Sequence, residues 1–353
     1  MALESPGTVC AVGLKSVAFA PCHWSDISDS LAGRFSLGKP KLFLLVNPTY
    51  SYFPNNLRSV IILNMETGQR EQGKSLSFEA QFSRREHKKI SGREIELVDI
   101  TPPQISDPTP ILLAPGWSEN PSTYEKSLKI IYGEKRRALT IGYSQRGEET
   151  HPDVEVRKAS LLLQVLEDKG IKKADVIAHS EGAIYTLIAA TIEPDRFRNV
   201  VLDKPAGLIG HDSKTALMGR FVKLMIQEAV LRPKGVTDPT GAVRAGLRTA
   251  LYCAENPKRV MEELDALTSY DISDLIGVLK DKGVMVSVIS GVDDPLFPVN
   301  RQIDNMRESG APPIEGYYSV IGGHNELSIN AGKHTALAVN ALDSLQRKRE
   351  IAV

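Results

Sequence analysis

The segment best suited to covalent chemistry is Ala178-His179-Ser180-Glu181-Gly182, a serine with a small residue two positions to either side. It separates a short apolar run, Asp175–Ala178, from a helical pattern, Ala183–Thr191. A serine held on a tight strand-to-helix turn needs small neighbours, because larger ones collide with adjacent chain. The helix beginning beneath it offers free N–H groups and positive potential to an oxygen that turns negative during acyl transfer. Two partner segments follow. Gly291-Val292-Asp293-Asp294-Pro295-Leu296-Phe297-Pro298 places Asp294 after the apolar run Val284–Ile289, and Gly322-Gly323-His324 places a histidine after Tyr317–Ile321. Nucleophile, acid and base thus each stand at the C-terminal end of a strand, where the loops of a parallel sheet converge.

These assignments have rivals. Asp293 adjoins Asp294, and Asp203 closes the earlier apolar run Asn199–Leu202. His179 flanks the serine, but a side chain there points away from the nucleophile and reads as a packing or hydrogen-bonding group. His334, inside the last helical pattern, reads as a solvated or capping group; His23, His87, His151 and His211 have no supporting context. Glu181 either lines a substrate pocket or caps the helix start, where a carboxylate is favourable. The sequence contains no phosphate-binding glycine loop, dinucleotide fingerprint, His-Glu-x-x-His or paired Cys-x-x-Cys, so neither a cofactor nor a metal is expected.

Such residues need a scaffold. Ser77–Ser83 and Glu94–Ile100 alternate apolar and polar residues about a Ser91-Gly92 turn, which predicts a hairpin. Ile111–Ala114, Ala138–Ile141, Asp175–Ala178, Asn199–Leu202, Val284–Ile289 and Tyr317–Ile321 read as short buried strands. They alternate with helical patterns at Thr123–Tyr132, Asp153–Lys169, Ala183–Thr191, Val299–Glu308 and Ala331–Leu345. That alternation predicts an α/β fold, a mostly parallel sheet wrapped by helices. Between Pro205 and Gly283 it pauses, and Lys214–Leu231, Gly241–Ala254 and Pro257–Leu267 are helical patterns without a strand among them. The expected organisation is an N-terminal extension over 1–75, a core over 76–204 and 284–353, and a helical cap over 205–283 inserted after the sixth strand. Two apolar runs in the extension, Lys41–Val46 and Ser59–Leu63, leave its structure open.

Composition narrows the partners. The 353 residues carry 43 Lys plus Arg against 43 Asp plus Glu, with 42% hydrophobic residues. Such a chain can bury a sizeable core, which excludes collagen-like, wholly disordered and small disulfide-scaffold classes. A zero net charge supplies no broad basic field, so no nucleic-acid partner is expected. Cys10, Cys22 and Cys253 are too few and scattered for a disulfide framework, and fit a reducing compartment. No apolar run reaches the roughly 18 residues of a membrane span. An acid rather than a base precedes the apolar N-terminal run, so no secretory signal is expected and the cytoplasm is the expected location.

The segment from about Ser77 to Leu345 resembles the α/β-hydrolase superfamily, in its group with a helical cap between the sixth and seventh strands. The matching motifs are Pro115-Gly116-Trp117 after the third strand, Ala178–Gly182, Gly291–Pro298 and Gly322-Gly323-His324. Two positions depart from the family: its usual His-Gly before the oxyanion loop is Pro115-Gly116, and the serine turn begins with Ala178. The resemblance implies Ser180 as nucleophile, His324 as general base and then general acid, and Asp294 as the acid that orients the imidazole. Family spacing selects Asp294 over Asp293, while some relatives carry the acid at the place of Asp203. An oxyanion hole of the backbone N–H groups of Trp117 and Glu181 is implied too. The implied activity is that of a cofactor-free serine hydrolase, a carboxylesterase cleaving small to medium apolar esters through an acyl-serine intermediate. The same triad also serves amidases or peptidases, C–C bond hydrolases and hydroxynitrile lyases; a ligand-binding receptor is the non-enzyme alternative. Leu217, Met218, Phe221, Leu224 and Met225 of the first cap helix are expected to pack on the core and to wall the substrate's apolar group.

Overall fold

The computed structural model describes residues 76–90, 92–143, 151–228, 239–310 and 312–351. The extension over 1–75, with its two apolar runs, lies outside them. The first described element corrects the sequence reading. Phe78–Ser83 is a short helix (α1), not a strand. Ser77 caps it by accepting the Ala80 N–H at 3.2 Å, and Phe78 and Phe82 stack with ring centroids 5.7 Å apart. Aromatic residues four apart satisfy both a period of two and one helix face, and the capping serine tips the balance. An antiparallel partner of Arg93–Ile100 (β2) is instead Glu86–Ile90 (β1), with Ile90 opposite Arg93; Ser91 of the expected turn lies outside the described residues. Its charged sequence lacks apolar alternation because it is a sheet edge, where charge discourages further pairing.

The chain continues through Asp107–Ala114 (β3), Glu125–Gly133 (α2), Arg136–Tyr143 (β4), Val154–Asp168 (α3), Ala174–His179 (β5), Gly182–Ile192 (α4) and Phe197–Asp203 (β6). Among the described residues, four helices precede the next strand: Lys214–Ile226 (α5), Pro239–Glu255 (α6), Pro257–Ser269 (α7) and Ser273–Asp281 (α8). Met285–Gly291 (β7), Val299–Glu308 (α9), Gly316–Val320 (β8), Glu326–Ile329 (α10) and Ala331–Ile351 (α11) complete it. The eight strands form one sheet in the order β1-β2-β4-β3-β5-β6-β7-β8, parallel from β4 to β8. The α/β class is therefore as expected.

Strand periodicity explains the layers. In β5, Val176 and Ala178 face a core that includes Leu162 of α3 and Ile184 of α4. Ile177 points the other way, into a core with Leu128 of α2 and Leu342 of α11. Burying each such branched side chain contributes about 1.5–3 kcal/mol, so apolar residues dominate the central strands, and a buried polar one such as Thr140 is satisfied locally, its hydroxyl donating to Leu113 O at 2.9 Å. Helix α8, which the sequence reading left unassigned, places Leu275, Ile276 and Leu279 in the first of these cores. Register aligns the functional ends: Ala114 pairs with Ala178, His179 with Asp203, and Asp203 with Ile289. No described helix is long and apolar enough to cross a membrane.

Candidate active site

Ser180 sits between β5 and α4 with a positive φ of 53°, a conformation that a non-glycine residue holds at a cost of order 1–3 kcal/mol. Backbone hydrogen bonds fix it. Its N–H donates to Asp203 O at 3.0 Å, while its carbonyl accepts from Ala183 and Ala206, each at 3.1 Å. Gly182 is a steric necessity, because a Cβ there would lie 2.6 Å from Ala114 O and 2.9 Å from Pro115 O. Ala178 has no such clash; its methyl belongs to the sheet core, which accounts for the alanine at the first small position.

His324 bridges the serine and an acid. Its Nε2 lies 2.9 Å from Ser180 Oγ and its Nδ1 2.8 Å from Asp294 Oδ2. With Nδ1–H donating to the carboxylate, Nε2 is free to accept the serine proton. The other Asp294 oxygen accepts the N–H groups of Leu296 at 2.8 Å and Phe297 at 3.3 Å. Burial opposes ionisation of Asp294, but His324 and these N–H groups keep its pKa below the ordinary value. The two loops zip together: Val292 N–H donates to Val320 O, and Asp293 N–H to Gly322 O. Gly291 permits the approach, since a Cβ there would stand 2.6 Å from Gly322 O.

The rival acids lie elsewhere. Asp293 is exposed. Asp203 is wholly buried, and its Oδ1 accepts from Lys204 Nζ at 2.8 Å. Lys204 continues to His334 Nδ1 at 3.3 Å, and His334 Nε2 stands 3.2 Å from Glu326 Oε2. Glu326 in turn accepts the Gly323 N–H, beside His324. His334 is thus a buried link to the histidine loop rather than a solvated or capping group.

His179 turns away from Ser180 into a second cluster that sequence reading missed. Its Nδ1 stands 2.9 Å from Glu119 Oε2, and its Nε2–H donates to the backbone carbonyl of His324 at 3.1 Å. Tyr124 OH also donates to Glu119, whose carboxylate accepts the Gly116 N–H as well. Burial would lower the pKa of His179, but the Glu119 charge outweighs it and lifts it to about 9. Glu119 carries no motif signal, standing in the loop after Pro115-Gly116-Trp117.

Among the described residues, neither backbone N–H of Trp117 and Glu181 has a hydrogen-bond partner. Their loops are close, since a Cβ on Gly116 would come 3.0 Å from Ser180 Cβ. The Glu181 side chain neither lines the pocket nor caps α4. It is buried against Lys158 of α3, with Oε1 2.6 Å from Nζ. Lys158 also meets Glu263 of α7 at 3.0 Å, and the Trp117 indole N–H donates to Glu263 Oε2 at 2.6 Å.

Ser180 and His324 open onto a cavity of about 820 Å³, its mouth included. Leu217, Phe221 and Leu224 of α5 and Leu264 and Leu267 of α7 form its apolar wall; Thr123, Arg248 and Asn325 supply polar groups. Leu217 and Leu224 also belong to the sheet core, so the first helix after β6 both packs and lines. Among the described residues, no group of three His, Cys, Asp or Glu is arranged to hold a metal.

No protein-family model matches this chain, and no curated protein matches it. Solved structures do. A bromoperoxidase from Bacillus anthracis superposes with a TM-score of 0.58 at 15% identity, over 74% of this chain and 99% of its own. An enol-lactonase from Burkholderia xenovorans gives 0.52 at 18% identity, over 73% and 100%. An esterase from Exiguobacterium antarcticum gives 0.54 at 15% identity, over 73% and 98%. At these identities the likeness is one of fold.

Proposed function

From the premise that this chain has the α/β-hydrolase fold, we propose that it is a serine hydrolase of small to medium apolar carboxylic esters. The observation that carries this reading is His324, within hydrogen-bond reach of both Ser180 and Asp294 at the floor of an apolar cavity. In this mechanism Ser180 Oγ attacks the ester carbonyl as His324 Nε2 takes its proton. Asp294 holds the imidazole in the receiving tautomer and stabilises the imidazolium. The tetrahedral oxyanion is held by the N–H groups of Trp117 and Glu181; such a donor contributes about 3–4 kcal/mol to the transition state. Collapse expels the alcohol with the proton from His324, and water then repeats the sequence on acyl-Ser180.

The organisation proposed with it is a core over 76–204 and 284–353 and a cap over 205–283, whose helices α5 and α7 supply the acyl wall. Fold alone does not select the reaction, since the structural neighbours above include an esterase, an enol-lactonase and a bromoperoxidase. A fluorophosphonate probe followed by peptide mapping tests the nucleophile, and p-nitrophenyl butyrate tests the ester. Labelling at Ser180 with turnover, both lost in Ser180→Ala, is the expected result. A folded protein that is unlabelled at Ser180 overturns the proposal.

A further inference from the structure

We infer that Lys158 and Glu263 are positioning residues for acyl transfer: their buried ion pair braces, from behind, the two residues whose backbone N–H groups receive the oxyanion. The inference rests on the serine-hydrolase reading above and adds a device to it.

A continuous chain of contacts runs Trp117–Glu263–Lys158–Glu181. The indole N–H donates to Glu263 at 2.6 Å; Glu263 meets Lys158 Nζ at 3.0 Å; Lys158 meets Glu181 at 2.6 Å. Lys158, Glu181 and Glu263 are each no more than 4% exposed. Two further groups lock Glu263, which accepts from Tyr252 OH at 2.5 Å and from Arg259 Nε at 3.0 Å. The carboxylate on α7 therefore gathers donors from the loop after β3, from α3, from α6 and from its own helix.

The charges balance in one way. Glu155, the third acid of the cluster, is fully buried, with its carboxylate 3.7 Å from Lys158 Nζ. Burial, and then the neighbouring Glu181 charge, push its pKa far above the ordinary value, so its neutral form is favoured. Burial also works against Glu263, but Lys158 and Arg259 outweigh it and hold that group at about 2. Burial raises the pKa of Glu181 as well, against the pull of the Lys158 ammonium 2.6 Å away; with Glu181 ionised by that contact, two carboxylates, Glu181 and Glu263, balance two cations, Lys158 and Arg259. A buried network balanced in this way is rigid, whereas losing one member leaves an uncompensated charge.

Rigidity at this place bears on rate rather than on substrate binding. The cavity wall contacts the ester in the ground state, while the two N–H groups meet full negative charge only in the transition state. Neither brace touches the reacting atoms. Each fixes the main chain through a side chain, Glu181 where α4 begins and Trp117 after Gly116. The brace also links α7 to the reaction centre, so the docking of that helix is read at the oxyanion site.

The test compares wild type with Glu263→Gln and with the pair Lys158→Met/Glu263→Leu, which removes one cation and one carboxylate together and so keeps the net charge of the cluster. The readouts are kcat and KM on p-nitrophenyl butyrate, the melting temperature, and the affinity for a trifluoromethyl ketone that forms a tetrahedral adduct. Expected is a fall in kcat of roughly 10–100-fold in the double variant, less in Glu263→Gln, with KM within about twofold of wild type. Ketone affinity should fall by the same factor as kcat, the mark of lost transition-state complementarity. A folded double variant with wild-type kcat overturns the inference. So do kcat and KM losses that merely follow the folded fraction, or failure of both variants to fold. If wild type itself neither turns over the ester nor is labelled at Ser180, the hydrolase reading has failed instead.

Discussion

The buried His179 and the partly buried Glu119 form an ion pair directly behind the serine turn, Nδ1 2.9 Å from Oε2. Its placement couples the residue preceding Ser180 to the loop that carries Gly116 and Trp117, and through the His324 carbonyl to the opposite loop.

The pair makes stability depend on pH in a defined direction. The folded pKa of His179 is raised to about 9, so its contribution is complete below the ordinary value of 6.5 and is lost as pH rises through about 9. Glu119, opposed by burial but held down by His179, contributes above its ordinary value of 4.5 and loses that contribution as pH falls. Melting temperature should therefore decline between about pH 7 and pH 9.5, and Glu119→Gln should remove that decline. The variant should lose roughly 3 kcal/mol at pH 7, as a broken buried pair does. An unchanged alkaline decline in Glu119→Gln would exclude the pair as its source.

Two aspartates separate by their partners. Asp294→Asn should lower kcat by about 10⁴-fold while leaving the fold intact, since an amide stabilises the wrong imidazole tautomer. Asp203→Asn strips the carboxylate from the wholly buried Lys204, so it should destabilise by roughly 3–5 kcal/mol and leave kcat per folded molecule nearly unchanged. Ester turnover and urea unfolding of both variants check the pattern, and the reverse pattern would move the acid to Asp203.

Gly182 is the position where a single methyl should be felt. In Gly182→Ala the new Cβ meets the Ala114 carbonyl at 2.6 Å, so the serine turn must shift. A loss of about 1–3 kcal/mol in stability is expected, together with a fall in kcat larger than the loss of folded protein. Denaturant melts paired with single-turnover acylation would measure both.

Phe221 is expected to limit the length of acyl chain that the pocket takes. It lies edge-on to Trp117, with centroids 5.3 Å apart, on the apolar wall. Phe221→Ala should shift preference from butyrate toward octanoate esters by about tenfold in kcat/KM, because space for added methylenes is worth about 1–3 kcal/mol. A chain-length series on the variant measures it, and an unchanged profile would remove Phe221 from the acyl wall.

What the sequence determined by itself is local. Apolar runs and helical patterns are set by residues a few positions apart, so the strands from β3 to β8 and their helices were legible, with Ser180, Asp294 and His324 at strand ends. Phe78–Ser83 was misread because phenylalanines four apart fit two periods, and only the Ser77 cap separates them. Tertiary structure alone decided the rest. Asp203 and Asp294 stand at the ends of neighbouring strands; only the zipped loops and the claim of Lys204 on Asp203 bring Asp294 to His324. Lys158 and Glu263 carry no signal in the sequence, and Glu181 reads there as a pocket or helix-capping residue, because a buried ion is tolerable only beside partners that no local pattern reveals.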